Sequence, residues 1–174
     1  MAKEPGTGAR DSGRPSPPEV IGTGYLLSAL GAHSAMNFAR RLAPLDLTPP
    51  HVGLLRGIGM APGRSQQAIA DEFGMPASRL VAFIDDLEAA GLVERRRDER
   101  DRRAHRLFLT AKGEDVMHRI AEIGQDHEAA LLQSLSSAER QQLHQLLERL
   151  AVNQDIAPGV HPGYRTMRPD DSAS

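Results

Sequence analysis

Seven arginines fall between Gly91 and Arg106: Arg95, Arg96, Arg97, Arg100, Arg102, Arg103 and Arg106. A guanidinium presents a planar fork of donors that matches phosphate oxygens, so such a cluster can hold a nucleic-acid backbone. Glu94, Asp98, Glu99 and Asp101 share the segment and leave it at a local net charge of +3 (seven minus four). The whole chain carries −2, so the remainder sits at −5 and the basic charge is concentrated in one place. Asp98, Arg100, Asp101 and Arg103 are spaced Asp-x-Arg-Asp-x-Arg. Interleaved aspartates can pair with neighbouring arginines and stiffen a loop, which argues against a disordered basic tail. An arginine run alone is equally a solvated charged hairpin; what stands upstream decides.

A second candidate chemistry is metal binding. Glu114, His118 and Glu122 recur at i, i+4 and i+8, one face of a helix, a spacing that can ligate a divalent ion. The competing reading, an exposed polar face, is the one adopted, and neither a metal site nor a cofactor is expected. His127 lies on an apolar stripe and reads as a hydrogen-bonded interface histidine. His105 ends the basic segment, where it either meets phosphate or is solvated. Motifs of serine hydrolases, zinc proteases and phosphate loops are missing from the sequence, so catalysis is not expected. The chain has no cysteine, which removes disulfides, thiolate zinc sites and thiol redox sensing together.

The elements that must position the arginines can be read from local punctuation. Ser65 is a good N-cap, and Ile69 and Phe73 follow on one helical face. Gly74 ends that helix, because glycine takes a left-handed backbone without strain. Pro76 pre-sets the first turn of the next helix, whose Leu80, Phe83, Ile84 and Leu87 face inward until Gly91 stops it. So short a turn makes the two helices cross steeply, as in a helix-turn-helix. Ala77, Ser78, Arg79 and Ala82 then point away from the core, at the positions that touch base edges when such a helix docks in a major groove. Leu92-Val93 and Leu107-Phe108-Leu109 flank the charged segment, which predicts two short strands joined by a loop. The fold class expected is mainly α with a small β-hairpin wing: a winged helix-turn-helix with N- and C-terminal dimerisation helices.

Leu47–Pro50 (LTPP), Asp85–Arg103 (DDLEAAGLVERRRDERDRR) and Leu109–Glu114 (LTAKGE) resemble the MarR family of bacterial transcription regulators, over roughly Leu47 to Leu150. The resemblance implies that Arg103 enters the minor groove and that Asp101 helps to hold the wing. It also implies that the first helix and the last two interlock across a two-fold axis. The chain departs from the family where Pro76 replaces a usual capping Ser and Ala82 a common Arg; Arg79 lies one turn earlier on a similar face. In the family, the helices that carry His33 and His51 help form an effector cleft. His33, Met36, Arg40, His51 and Arg56 would suit a small anionic aromatic effector there.

The domain boundaries expected are a disordered tail over 1–18, a dimerisation helix in 19–46, and the DNA-binding domain over 47–110. C-terminal dimerisation helices follow over 111–154, and a flexible tail over 155–174. The first helix, about Gly24–Leu42, should bury Leu27, Leu30, Ser34, Ala35, Phe38 and Leu42. Thr48 should cap a helix over Pro49–Met60, Thr110 one reaching about Leu135, and Ser136 with Glu139 a last one. Leu143, Leu146, Leu147 and Leu150 form a narrow seam of the kind that pairs helices between chains. No apolar run approaches the ~20 residues that span a bilayer, and no secretory signal is visible, so a cytoplasmic, nucleoid-associated protein is expected.

The resulting expectation is a homodimeric, ligand-responsive repressor on a near-palindromic, double-stranded DNA operator. Ser78 and Arg79, beside Ala77, should read bases; Gln66, Arg95, Arg97, Arg100 and Arg102 should hold phosphates. The alternatives are a zinc-type metal-dependent regulator of the same fold, or a winged-helix protein-interaction module that binds no DNA.

Overall fold

The structure, a computed structural model, describes residues 21–97 and 105–156. The chain divides into two compact units, residues 1–33 and 34–174. Helix α1 (Thr23–Leu42) crosses that division. In the first unit every described residue is exposed, Tyr25, Leu26, Leu27 and Leu30 among them. The stripe expected to be buried on α1 is therefore mostly uncovered. Leu42 alone is fully buried, Ser34 and Phe38 are half-buried, and Leu27, Leu30 and Ala35 are exposed.

In the second unit a 3-10 turn (Ala43–Leu45) leads into α2 (Pro49–Met60), β1 (Arg64–Ser65), α3 (Gln66–Phe73) and α4 (Ala77–Ala89). Strands β2 (Val93–Arg97) and β3 (His105–Leu109) follow, then α5 (Ala111–Leu131) and α6 (Ser137–Asn153). The three strands form an antiparallel sheet in the order β1-β3-β2. Strand β1 was not foreseen: a two-residue strand is too short to show alternation. No helix among the described residues is long and apolar enough to cross a membrane.

Most of the caps read in the sequence are present. Ser65 Oγ accepts from the Ala68 N–H at 3.2 Å, and Thr110 Oγ1 from the Gly113 N–H at 3.0 Å. Ser136 and Glu139 form the reciprocal capping box. Gly74 and Gly91 sit at φ 58° and 70°, which a side chain would strain. Pro76 is itself the N-cap of α4 rather than its first helical residue; its carbonyl accepts from Arg79 and Leu80. Helix α5 ends at Leu131, short of the expected Leu135: the Leu132 N–H makes the closing bond to the Glu128 carbonyl at 3.0 Å, and the Leu135 N–H bonds the Leu132 carbonyl at 3.0 Å in a turn ahead of α6.

Among the described residues one apolar core, aliphatic apart from Phe73 and Phe83, joins α2, α3, α4, β2, β3 and α5. Leu54, Leu55 and Ile58 of α2 meet Ile69 and Phe73 of α3, Leu80, Phe83, Ile84 and Leu87 of α4, and Leu107 of β3. Ile120 is the one residue of α5 buried in it beyond Gly113.

Candidate nucleic-acid interface

The α3–α4 pair forms the expected helix-turn-helix, with the Met75 N–H closing the turn on the Ala70 carbonyl at 2.9 Å. Core burial of Leu80, Phe83, Ile84 and Leu87 fixes which face of α4 remains outward. Ala77 and Ser78 are exposed as expected; Arg79 and Ala82 are half-buried. Val81, one turn past Ser78, is exposed as well and was not singled out in the sequence. An outward apolar side chain on a polar face is a signal that inspection of the helical pattern could have found.

The pleat of β2 distributes its arginines. Successive side chains alternate, so Arg95 shares the face of buried Val93, while Arg96 takes the other face. Arg96 lies over the Phe108 ring, 4.3 Å from its centroid, and pairs with Glu94. Arg97 is exposed opposite His105 at the end of the ladder. Arg95 points back onto α4: its guanidinium is held by Asp85 and Glu88, and its backbone N–H donates to Glu88 Oε1 at 3.4 Å. The Arg95 side chain is only 17% exposed, so the group expected on phosphate is occupied within the protein.

Gln66, another of the three expected phosphate ligands among the described residues, is half-buried, and its Nε2 is shielded without a hydrogen-bond partner among the described residues. Arg100, Asp101, Arg102 and Arg103 lie outside the described residues.

Three residues of the LTAKGE segment dock α5 onto the turn that ends α4. The Thr110 N–H donates to the Leu92 carbonyl at 3.1 Å and its hydroxyl to the Gly91 carbonyl at 2.7 Å. Lys112 Nζ donates to the Ala90 carbonyl at 2.8 Å. Gly113 is packed so closely that a Cβ there would stand 2.1 Å from the Leu92 carbonyl oxygen.

The residues expected to bind an effector are placed differently from one another. His33 is exposed in the first unit. In the second, Met36 and Arg56 are exposed, and Arg40 bonds the Asn37 side chain. His51 is buried, 8% exposed. Its Nδ1 accepts from the Thr48 backbone N–H at 3.1 Å, the reaching-back half of a capping box usually made by Glu or Gln. Accepting at Nδ1 puts the proton of the neutral ring on Nε2, which faces Asp86 Oδ2 of α4 at 3.7 Å, and the ring packs edge-on against Phe83.

Burial pushes the His51 pKa below its ordinary value, against a smaller upward pull from Asp86. His127 is also lowered, by burial first and then by Arg41; its Nε2 is 2.9 Å from Ser34 Oγ. A histidine whose folded pKa is depressed binds fewer protons folded than unfolded. Stability is therefore lost as pH falls below the unfolded value of 6.5 toward the folded one. The melting temperature is expected to drop between pH 7.5 and 5.5, and the drop should shrink in His51→Gln, which keeps an acceptor for Thr48. A thermal melt series checks this; an equal drop in the variant would remove His51 as a cause.

Glu114, His118 and Glu122 are exposed on α5, and among the described residues no three His, Asp or Glu side chains gather as a metal-holding group.

A family model described as the MarR family matches residues 45–104. Among solved structures, the transcriptional repressor CouR bound to a 23-mer DNA duplex is 34% identical, with a TM-score of 0.66, covering 74% of this chain and 92% of its own. The wild-type apo form of MarR from E. coli is 25% identical, with a TM-score of 0.68 and coverage of 76% and 98%. A MarR family protein of Mycobacterium tuberculosis in complex with salicylic acid is 27% identical, with a TM-score of 0.61 and the same coverages.

Proposed function

This chain belongs to the MarR family of winged-helix transcription regulators, and on that premise we propose that it is a homodimeric, ligand-responsive repressor of a near-palindromic operator. The observation that carries the reading is the exposed first turn of α4 beside an arginine-bearing wing strand, in a chain 34% identical to a repressor seen on duplex DNA. Helix α4 enters the major groove with Ala77, Ser78 and Arg79 at base edges, and Val81 offers an apolar contact of the kind a thymine methyl accepts. Arg97, Arg100 and Arg102 hold phosphates, and Arg103 enters the minor groove beside Asp101. The protein works at the nucleoid.

The effector is a small anionic aromatic molecule, with Arg40 and Arg56 as its charge partners. The relative solved with salicylic acid supports that ligand class. Its binding changes the separation of the two recognition helices, so that both half-sites are no longer met together.

Protection mapping and a salt series on the promoter region upstream of the protein's own gene test the reading. Phosphate-driven binding should lose roughly 10³–10⁵ in affinity between 50 and 200 mM salt if six to ten phosphates are contacted. Absent protection of the promoter, or binding indifferent to salt, would turn the assignment toward a protein-interaction module.

A further inference from the structure

The recognition helix carries three carboxylates, Asp85, Asp86 and Glu88, on the element that has to approach a polyanion. Two of them converge on Arg95 of β2. We infer that Arg95 is a positioning residue: it sets the angle between recognition helix and wing strand, so that the base-reading turn of α4 and the wing reach adjacent grooves in one docked pose. The inference rests on the operator-binding reading above and replaces the direct phosphate contact expected of Arg95.

Three observations carry it. Arg95 stands on the same face of the strand as buried Val93, turned toward α4, and its side chain is mostly shielded. Its guanidinium meets carboxylates three residues apart on α4, neighbours on one helical face. Its backbone N–H bonds one of the same carboxylates, so strand and helix are tied at both main chain and side chain. A planar fork gripping two carboxylates fixes orientation as well as distance, which an ammonium cannot do.

The sign of a charge change separates positioning from electrostatics. The variant pair Asp85→Asn with Glu88→Gln removes two negative charges from the DNA-facing module. Simple electrostatics then requires tighter binding to any duplex. A positioning role requires weaker operator binding, by about tenfold, the size of one mismatched base pair. Affinity for an arbitrary duplex should not fall with it.

Adding Arg95→Gln to that pair closes a cycle. A clamp whose partners are already gone loses nothing more, whereas a phosphate contact loses affinity again and lowers the salt slope by about 0.9. Arg95→Lys, which keeps the charge and the stem, should show the same weakening at the operator if the carboxamide pair proves unstable in a melt. Operator binding by the carboxamide pair that equals or exceeds wild type, or full operator affinity in the Lys variant, overturns the clamp while wild-type operator binding still stands. Failure of the wild type to bind any duplex overturns the operator reading and the clamp with it.

Discussion

Gly113→Ala is expected to destabilise the protein by about 3 kcal/mol, the upper end of the usual cost of overpacking a well-packed site. Helix propensity alone argues the reverse, since alanine inside a helix is favoured over glycine by about 1 kcal/mol. The steric term wins because the obstacle is backbone: the added Cβ would lie 2.1 Å from the Leu92 carbonyl oxygen. Relief needs α5 to retreat by about an ångström, which no rotamer change can supply. That retreat stretches the bonds from Thr110 to Gly91 and Leu92 and from Lys112 to Ala90. These bonds join the end of the recognition helix to the start of the long C-terminal helix, so the link between DNA-binding module and α5 loosens as well. Urea unfolding of the two proteins measures the effect; a variant as stable as wild type would show that the turn yields easily.

Why the sequence announced the helix-turn-helix and hid the clamp follows from the range of the signals. Ser65, Gly74, Pro76 and Gly91 act on their own backbone or on residues within a turn of it. Their residue types therefore state their roles, and the pattern Leu80, Phe83, Ile84, Leu87 states the buried face. Arg95 acts on a helix that precedes it, and in a run of arginines nothing in its own type separates it from Arg97. The pleat separates it only from Arg96; Arg97 shares its face, and what sets Arg95 apart is the pair of α4 carboxylates it meets. The sequence offers His51 for an effector cleft and hides its capping role, because a histidine closing a capping box looks like any other histidine near a helix start. Gly113 stood inside a quoted motif, yet its purpose is a contact with a carbonyl 21 residues earlier. The buried stripe of α1 failed for another reason. Periodicity tells which face is apolar and not whether this chain or another one covers it, and here Leu27 and Leu30 are left uncovered.

The same argument bears on α6, where the largest effect on assembly is expected. Leu146, Leu147 and Leu150 are 46%, 39% and 48% exposed, and no residue of the helix is buried. Such a seam is only half covered within the chain; against a second copy, completing the burial of half-exposed leucines is worth about 1 kcal/mol each. Leu146→Glu with Leu150→Glu, present in both protomers, removes four such contributions and sets four carboxylates in the interface. The variant should sediment as a monomer whose circular dichroism and core stability are close to wild type, since the substituted side chains already face water in the single chain. Operator binding should collapse to the level of a random duplex, because a monomer meets one half-site and loses the effective concentration that the second supplies. Monomers that had also unfolded would mean that α6 supports its own chain's core. A dimer of wild-type mass and operator affinity would place the interface elsewhere and leave the exposed face of α1 as the next surface to charge.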